Sequence, residues 1–447
     1  MNTDALPILY HYFAARGRAK FDGRDELERW REPRIVHHLD RVRAASPFYR
    51  ELWGDRPTPD WRGFPEIDKQ AMMDNFDRLN TAGIRKEEAM GLALEAERTR
   101  DFTPEIGGLT IGLSSGTSGS RGLFLVSRRE RLAWTGTILA RVLPGSLLQR
   151  HNIAFFLRAD SNLYGSVRSR RVAFEFYDLL NPLEEHVARL NAQNPSVLAA
   201  PPSMLRLLAE RLRTGELRIA PGHLVSMAEV LDPLDRVVIE EAFGRRIHQV
   251  YQCTEGFLGA TCPHGTLHLN EDVVHIEKEY VDRERGVFTP IVTDFVRFAQ
   301  PIVRYRLDDL LTESTKPCLC GSPFTAIERI EGRSDDLFVL PREDGGGFVT
   351  LFPDYVSRAI IGASAHIEAY RAEQESPSRL IVELQTDTQT GFGQAEADVR
   401  RAVAELCGRI GAVVPAMEFA PYRFVPDGTK LRRVRRRFAV DERMEPV

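Results

Sequence analysis

Short apolar runs alternate with helical stretches from about residue 109 to residue 331, and this alternation most constrains the fold. The apolar runs predict strands at 152–157, 196–200, 222–228, 247–252 and 286–295. Between these strands, residues 201–216 and 231–244 have helical periodicity. Strands that alternate with helices indicate an α/β domain in which helices cover a sheet.

The two ends of the chain follow other patterns. Residues 1–100 are charged and helical, and Pro47 interrupts a helical segment over 37–53. Near the C-terminus, a glycine-rich turn predicts a hairpin, 379–386 predicts a strand, and an amphipathic helix follows. One face of that helix is apolar: Ala395, Val399, Val403, Leu406 and Ile410.

A chain of 447 residues exceeds the size at which one core stops growing, so two domains are expected. We predict a large layered α/β domain over 1–332, with a helical part at 1–100. We predict a smaller, mobile α+β domain over 337–447. The dense charge of 333–336 is typical of the segment between two domains.

Composition excludes some classes of partner. The net charge of -4 gives no reason to expect nucleic acid or an anionic membrane as partner. No run approaches the roughly 20 apolar residues of a transmembrane helix, and the N-terminus does not resemble a secretory signal. Five cysteines are too few for a disulfide framework, so we expect a reducing, cytoplasmic location.

The stretch LSSGTSGSRGL at 113–123 lies between two apolar runs and contains little that can be buried. Glycines allow backbone amides to turn inward, and amides with hydroxyls form a nest for an anion such as phosphate. A flexible hairpin loop is the alternative, since Gly and Ser favour turns. No Gly-Lys-Ser/Thr follows, so this is not a Walker loop. The candidate phosphate loop comprises Ser114, Ser115, Gly116, Thr117, Ser118 and Gly119.

Five segments in the last three quarters of the chain resemble the adenylate-forming superfamily, in the order that family requires. These segments are SSGTSGS (114–120), YQCTEG (251–256), RYRLDDL (304–310), EGRSDDLF (331–338) and VPDGTKLRRV (425–434). The branch that includes phenylacetate-CoA ligases and deazaflavin-coenzyme (coenzyme F) synthetases is the most similar. Its phosphate loop lacks a lysine, and here Arg121 stands at that place. It also has a stretch like SPFYR at 46–50.

The resemblance implies that a carboxylate attacks the α-phosphorus of ATP, giving an acyl-adenylate and pyrophosphate. Because two anions must meet, positioned cations should supply most of the catalysis. Lys430 is the candidate catalytic cation, since a compact ammonium can lie between carboxylate and phosphate. Alternatively, Lys430 belongs to a solvated basic run, KLRRVRRR, which in a non-catalytic protein would bind an anionic partner.

The resemblance also implies the other roles at the site. Glu255 would help hold Mg²⁺, and Thr254 would donate a hydrogen bond to a phosphate. The remaining assignments are Tyr251, Ala228 and Glu229 for adenine, Asp309 and Arg333 for ribose, and Asp335 for the hinge between two domain arrangements. Gln252 replaces the family's glycine, and Asp308 is a second candidate beside Asp309.

Cysteines and a histidine form a candidate metal site. The spacings Cys-x₅-His (Cys262, His268) and Cys-x-Cys-Gly (Cys318, Cys320) give three thiolates and one imidazole, a standard tetrahedral Zn²⁺ set. The same arrangement occurs in members of the resembling branch. His264 is a rival ligand, and buried reduced thiols are the alternative interpretation. Four protein ligands leave no open position, so the zinc would be structural.

The expected function is therefore an acid–thiol ligase. The resemblance implies ATP, Mg²⁺ and a small, aromatic carboxylic acid, with coenzyme A or a carrier protein as the thiol. Transfer of AMP to a hydroxyl is the alternative reaction. The sequence leaves open whether the chain forms a homodimer.

Overall fold

A computed structural model describes residues 4–18, 20–114, 121–423 and 431–440. Contacts divide the chain into two compact units. The first comprises Met1–Glu229, Val238–Leu307 and Leu311–Arg329, and the second comprises Val230–Val237, Asp308–Leu310 and Ile330–Val447. Two short segments from the middle of the sequence thus join the C-terminal unit. The division at 333–336 stays a prediction.

The first unit begins with helices, as predicted for residues 1–100. They are α1 (Ala5–Arg18), α2 (Arg24–Ala45), α3 (Pro47–Trp53), α4 (Lys69–Asp74), α5 (Phe76–Leu79) and α6 (Lys86–Thr99), with a 3₁₀ helix at Thr58–Gly63. The break at Pro47 is confirmed, because α2 ends at Ala45 and Pro47 starts α3. The Ser46 side chain caps α3 by accepting from the Tyr49 amide.

A small antiparallel sheet carries the candidate phosphate loop. Its strands are β1 (Glu105–Ile106), β2 (Leu109–Leu113) and β3 (Leu123–Ser127). Leu113 pairs with Leu123, so the glycine-hydroxyl stretch connects two paired strands. Helix α7 (Arg128–Val142) follows at once, with a capping box between Ser127 and Glu130.

Parallel strands form one half of the large sheet. They are β4 (His151–Leu157), β5 (Val172–Asp178), β6 (Val197–Ala200), β7 (His223–Ser226) and β8 (Ile247–Cys253), in the spatial order β5-β4-β6-β7-β8. The connecting helices are α8 (Asn162–Gly165), α9 (Leu183–Gln193), α10 (Pro202–Arg213) and α11 (Pro233–Phe243). The predicted strand–helix alternation is confirmed here. The carboxyl ends of parallel strands meet at one edge, where α/β proteins bind ligands.

The other half of the sheet is antiparallel, which the sequence patterns did not predict. Its strands are β9 (Gly256–Thr261), β10 (Leu267–Leu269), β11 (Val274–Asp282), β12 (Val287–Asp294), β13 (Ile302–Arg306), β14 (Asp309–Glu313) and β15 (Ala326–Arg333). From β8 the order continues β9-β10-β15-β14-β12-β11, and β13 pairs with β12. Strand β9 returns directly alongside β8, so the residues between them form a tight turn at the centre of the sheet.

The second unit is α+β, as predicted. A hairpin of β16 (Phe338–Pro341) and β17 (Phe348–Leu351) precedes a sheet of order β20-β19-β18-β21. Its remaining elements are α12 (Pro353–Ala363), β18 (Ile367–Ser376), β19 (Arg379–Thr386), α13 (Gln389–Ile410), β20 (Ala416–Pro421) and β21 (Val434–Arg436). Val399 and Leu406 of α13 are buried as predicted, and Cys407 lies in the same core.

The fold class expected from the sequence, a large α/β unit with a smaller α+β unit, is confirmed. In the part of the chain that the structure describes, no helix has both the length and the apolar character required to cross a bilayer.

Candidate active site

The base of the phosphate loop is fixed by a closed set of hydrogen bonds. The Ser114 amide donates to the Gly122 carbonyl at 2.7 Å, and the Gly122 amide donates to Ser114 Oγ at 2.7 Å. Residues Ser115, Gly116, Thr117, Ser118 and Gly119 lie outside the described residues, so their expected contact with phosphate stays a prediction. Ser114 is held where that loop begins.

Arg121, which directly precedes Gly122, is held at the base of the phosphate loop. Its Nη1 donates to Glu97 on α6 at 2.7 Å, its Nη2 also contacts that carboxylate, and its Nε donates to the Ser114 carbonyl at 3.2 Å. A bidentate arginine–carboxylate pair fixes direction as well as distance. Arg121 therefore connects Ser114, the first residue of the phosphate loop, to Glu97 on α6.

The turn between β8 and β9 carries Thr254 and Glu255. Strand β8 is parallel to β7, so this turn lies at the carboxyl edge of the parallel strands. Thr254 Oγ1 donates to Glu255 Oε2 at 2.9 Å, and the Glu255 side chain is nearly buried. Tyr251, two residues before the turn's start at Cys253, is also buried. A hydroxyl and a carboxylate side by side offer oxygen ligands that suit Mg²⁺.

Arg297 connects this turn to the phosphate-loop hairpin. Its guanidinium donates to the Thr254 carbonyl, and its Nη2 donates to the Leu125 carbonyl of β3 at 3.1 Å. Gln300 adds a second connection, since its side chain accepts from the Leu125 amide at 2.8 Å and donates to the Leu123 carbonyl at 3.0 Å. The sequence analysis missed both residues, because they belong to no motif. A buried arginine within an apolar stretch was the available signal.

Asp294 lies beneath the same turn. Burial raises the pKa of Asp294 to about 6, although the nearby Arg297 charge acts in the opposite direction. Its Oδ1 accepts from the amides of Val296 and Arg297, at 2.8 and 3.0 Å. A methyl group at Gly256 would lie 3.2 Å from Asp294 Oδ2, so the glycine that follows Glu255 lets the carboxylate approach the turn.

Ala228 and Glu229, expected at the adenine edge, follow strand β7. Ala228 has a φ of +67°, the left-handed region that costs a non-glycine residue about 1–2 kcal/mol. Glu229 Oε2 accepts from the Ser203 amide in the first turn of α10 at 3.2 Å. Strained backbone of this kind often occurs where a chain must approach a ligand.

Asp309, Arg333 and Asp335 lie in the second unit. Arg333 donates to Asp308 at 2.8 Å and forms an ion pair with Asp335 at 3.3 Å. Burial opposes the Arg333 charge, yet Asp335, Asp309 and Asp308 together raise its pKa. The structure thus brings the predicted ribose and hinge residues into one charged cluster, in which Asp308 accepts a hydrogen bond from Arg333. Lys430 lies outside the described residues.

The four predicted metal ligands lie together. Their ligand atoms are all within 4.8 Å of one another. Cys262 Sγ is 3.6 Å from Cys318 Sγ, and Cys320 Sγ is 3.3 Å from His268 Nε2. These spacings approach the roughly 3.8 Å edge of a tetrahedron with zinc–sulfur bonds of about 2.3 Å.

Further contacts orient the imidazole of His268 and place His264 outside the cluster. His268 Nδ1 donates to the Phe324 carbonyl at 3.0 Å, which leaves the Nε2 lone pair directed at the thiols. The rival His264 is exposed outside the cluster, and its carbonyl accepts from Arg246. The donor set therefore fits a structural zinc ion.

Aromatic side chains near residues 155–166 divide into core and surface-lining groups. Phe156 is fully buried and stacks on Tyr177 with ring centroids 4.5 Å apart, so it belongs to the core. Phe155 and Tyr164 are only partly buried, and their centroids are 4.9 Å apart. Burial raises the pKa of Tyr164 to about 12, so its hydroxyl stays neutral.

No protein-family model matches the sequence, and no curated protein matches it. Solved structures do match. A 2-hydroxyisobutyryl-CoA ligase in the postadenylation state, in complex with 2-HIB-AMP, is 17% identical, with 94% of this chain and 91% of that chain covered and a TM-score of 0.70. This chain has the same fold as that ligase. The resemblance drawn from five short segments is thereby confirmed at the level of the fold.

Two further solved structures share the fold. A GH3.15 acyl acid amido synthetase is 12% identical, with 86% of this chain and 84% of that chain covered and a TM-score of 0.54. The amide bond synthetase McbA from Marinactinospora thermotolerans is 13% identical, with coverages of 72% and 68% and a TM-score of 0.50. One of these structures is named a CoA ligase and the other two are named amide-forming synthetases, so the shared fold does not fix the reaction.

Proposed function

We propose that this chain is an ATP-dependent ligase that activates a carboxylic acid as its acyl-adenylate and then transfers the acyl group to a thiol. The observation that carries the proposal is the Thr254–Glu255 turn at the carboxyl edge of the sheet, which Arg297 connects to β3, the strand that follows the phosphate loop. A fold shared with a ligase solved in complex with an acyl-AMP supports it. Coenzyme A is the proposed thiol, and an aromatic acid is the proposed substrate.

In the first step, a carboxylate oxygen of the acid forms a bond to the α-phosphorus of ATP. The bond from that phosphorus to the bridging oxygen breaks, and pyrophosphate leaves with the electron pair. We propose that Ser114 to Gly119 and Thr254 hold the phosphates while the ammonium of Lys430 reduces the repulsion between the two anions. Glu255 would hold Mg²⁺, which when bound offsets phosphate charge.

Adenosine would be held by residues that follow the strands. Tyr251, Ala228 and Glu229 would line adenine, and Asp309 with Arg333 would bind the ribose hydroxyls. In the second step, a thiolate attacks the acyl carbon and AMP leaves with the oxygen. We propose that residues 333–336 rotate between the steps, with Asp335 at the hinge.

The cluster of Cys262, His268, Cys318 and Cys320 is proposed to bind a structural zinc ion. Zinc would join the hairpin of β9 and β10 to the segment that precedes β15, two regions whose contacting ligands are 52 and 56 residues apart in sequence. With four protein ligands, the ion would have no open position for substrate and would act on stability alone.

Acid-dependent exchange of labelled pyrophosphate into ATP tests the proposal. We expect exchange with at least one acid, and release of AMP with an acyl thioester only when coenzyme A is added. Lys430→Ala should abolish exchange, whereas the matched exposed-lysine variant Lys316→Ala should retain it.

Three results would contradict the proposal. A product in which AMP remains on a hydroxyl acceptor would indicate an adenylyltransferase. Transfer only to a carrier protein would overturn the choice of coenzyme A. Absence of exchange with every acid, together with salt-sensitive binding of polyanions, would indicate a binding protein.

A further inference from the structure

Gln252 places a carboxamide in the first unit beside the candidate reaction centre. It is the penultimate residue of β8 and is half-buried. The pairing of β8 with β9 shifts register between Tyr251 and Gln252, which marks a β-bulge. Because a bulge re-aims the side chains around it, Gln252 need not follow the strict alternation of the strand.

A tryptophan sets the orientation of this carboxamide. Trp134 Nε1, on helix α7, lies 3.1 Å from Gln252 Oε1. An indole nitrogen can only donate a hydrogen bond, so the carboxamide oxygen must face it. The chemistry of the indole therefore assigns which end of the carboxamide faces Trp134. The NH₂ group must then point away from the indole.

The NH₂ group of Gln252 has no hydrogen-bond partner within residues 4–18, 20–114, 121–423 and 431–440. An amide group that loses water without gaining an acceptor costs about 1–3 kcal/mol. A ligand that covers this group and supplies an acceptor avoids the cost, whereas a ligand that covers it without an acceptor imposes the cost. The group is thus suited to discriminate between ligands.

Aromatic rings surround the Trp134 side of the carboxamide. The centroids of Trp134 and Tyr164 are 5.9 Å apart, and Phe155 lies 4.9 Å from Tyr164 and 5.3 Å from Phe174. Apolar rings strengthen a hydrogen bond formed beside them, because water competes less there. Within this set, Gln252 supplies an amide donor among largely apolar surfaces.

The position along the chain relates the donor to the reacting groups. Gln252 precedes Thr254 by two residues, so its carboxamide lies close to the turn that carries Thr254. If Thr254 binds a phosphate of ATP, as proposed, the acid that reacts with that ATP also lies near Gln252, and the aromatic rings beside Trp134 suit its acyl part.

We propose that Gln252 is a specificity-determining residue, aimed by Trp134, that donates a hydrogen bond to an oxygen on the acyl part of the acid. The preferred substrates are then acids with a hydroxyl or another acceptor near the carboxyl group. This inference rests on the proposed ligase function and names the substrate class for that same site.

The test compares matched acids in the pyrophosphate-release assay. The pairs are mandelate and phenylacetate, salicylate and benzoate, and 2-hydroxyisobutyrate and isobutyrate, each differing by one hydroxyl. The wild-type chain should prefer the hydroxylated member of its best pair in kcat/KM. Gln252→Met keeps the side-chain length but removes the donor, so it should lower that preference by about tenfold. Gln249→Met, on the same strand, is the matched control and should leave the ratio unchanged.

Trp134→Phe gives an independent readout. It removes the indole donor but keeps an aromatic ring, so the carboxamide can turn over and present its oxygen. We expect a loss of preference in this variant that the Gln252→Met, Trp134→Phe double variant does not increase.

The outcomes separate this inference from the function on which it rests. If no acid supports pyrophosphate release, both the proposed function and this inference are wrong. Suppose that the wild-type chain is active and that Gln252→Met lowers kcat/KM equally for both acids of a pair. Gln252 then acts on folding or on the carboxylate, so this inference is wrong while the proposed function stands. An unsubstituted acid preferred by the wild-type chain in every pair would also overturn it.

Discussion

Removing the Arg297 guanidinium tests how the turn after β8 is held in place. Arg297→Met keeps much of the apolar stem but removes the donors to the carbonyls of Thr254 and Leu125. It also removes the cation that partly offsets the burial of Asp294. The side chain that is lost is almost fully buried, with the residue only 8% exposed, so water cannot easily replace it.

The magnitude follows from these contacts. Each buried carbonyl left without a donor costs about 1–3 kcal/mol, and two carbonyls are affected. Relaxation of the turn recovers part of that cost, so we expect the free energy of unfolding to fall by about 2–4 kcal/mol. Because Thr254 is then no longer tied to β3, we also expect kcat for pyrophosphate exchange to fall at least about tenfold in protein that remains folded.

Urea unfolding followed by circular dichroism measures the first effect, and exchange at 25 °C under conditions where the variant stays folded measures the second. Arg285→Met is the matched control, since Arg285 is exposed and forms an ion pair with Asp282, three residues away. Arg297→Lys should be intermediate, because one ammonium can reach one carbonyl but cannot span both as a planar guanidinium does. A free energy of unfolding for Arg297→Met within about 0.5 kcal/mol of the wild-type value, with unchanged exchange, would refute this reasoning.

Three further predictions concern the loop, the metal site and pH. Glu97→Gln weakens the clamp on Arg121 at the base of the phosphate loop, so the KM for ATP should rise about three- to tenfold, whereas Glu95→Gln on the same helix should not change it. An unchanged KM would contradict the clamp. Cys320→Ser should abolish the roughly stoichiometric zinc measured by inductively coupled plasma mass spectrometry and lower the melting temperature, whereas Cys407→Ala should retain the metal. Zinc absent from wild-type protein would contradict the site. Burial raises the pKa of Asp294 from 3.8 to about 6, so the folded protein favours the protonated carboxyl group. The contribution of this group to the free energy of unfolding is complete below pH 3.8 and is lost as the pH rises through 6. Asp294→Asn removes this pH-dependent loss of unfolding free energy, which is about 3 kcal/mol at most. The urea midpoint of the variant should therefore exceed that of the wild type, and the difference should be larger at about pH 7 than at about pH 4.5. Equal differences at both pH values would exclude a buried ionising carboxyl group.

Many helices and strands could be predicted from the sequence, because interactions between residues close in sequence decide where they form. The apolar face of α13 could be read at helical spacing, and burial of Val399 and Leu406 follows from that spacing. Pro47 removes a backbone donor, so it could be placed at a helix boundary. The Cys and His spacings predicted four ligands that the structure brings together, because each pair lies close in sequence and only the two pairs had to meet. Lys430 and the centre of the phosphate loop rest on sequence alone.

Tertiary structure decided which distant groups face one another. Arg297 and Leu125 are 172 residues apart, and Trp134 and Gln252 are 118 residues apart. Residues 230–237 and 308–310 join the second unit although nothing in their composition separates them from their neighbours. Periodicity states which side of an element is buried, but it contains no information about which element covers that side. The partners of Arg297 and Gln252 are fixed by the order in which strands and helices pack, and that order emerges only when the whole sheet is assembled.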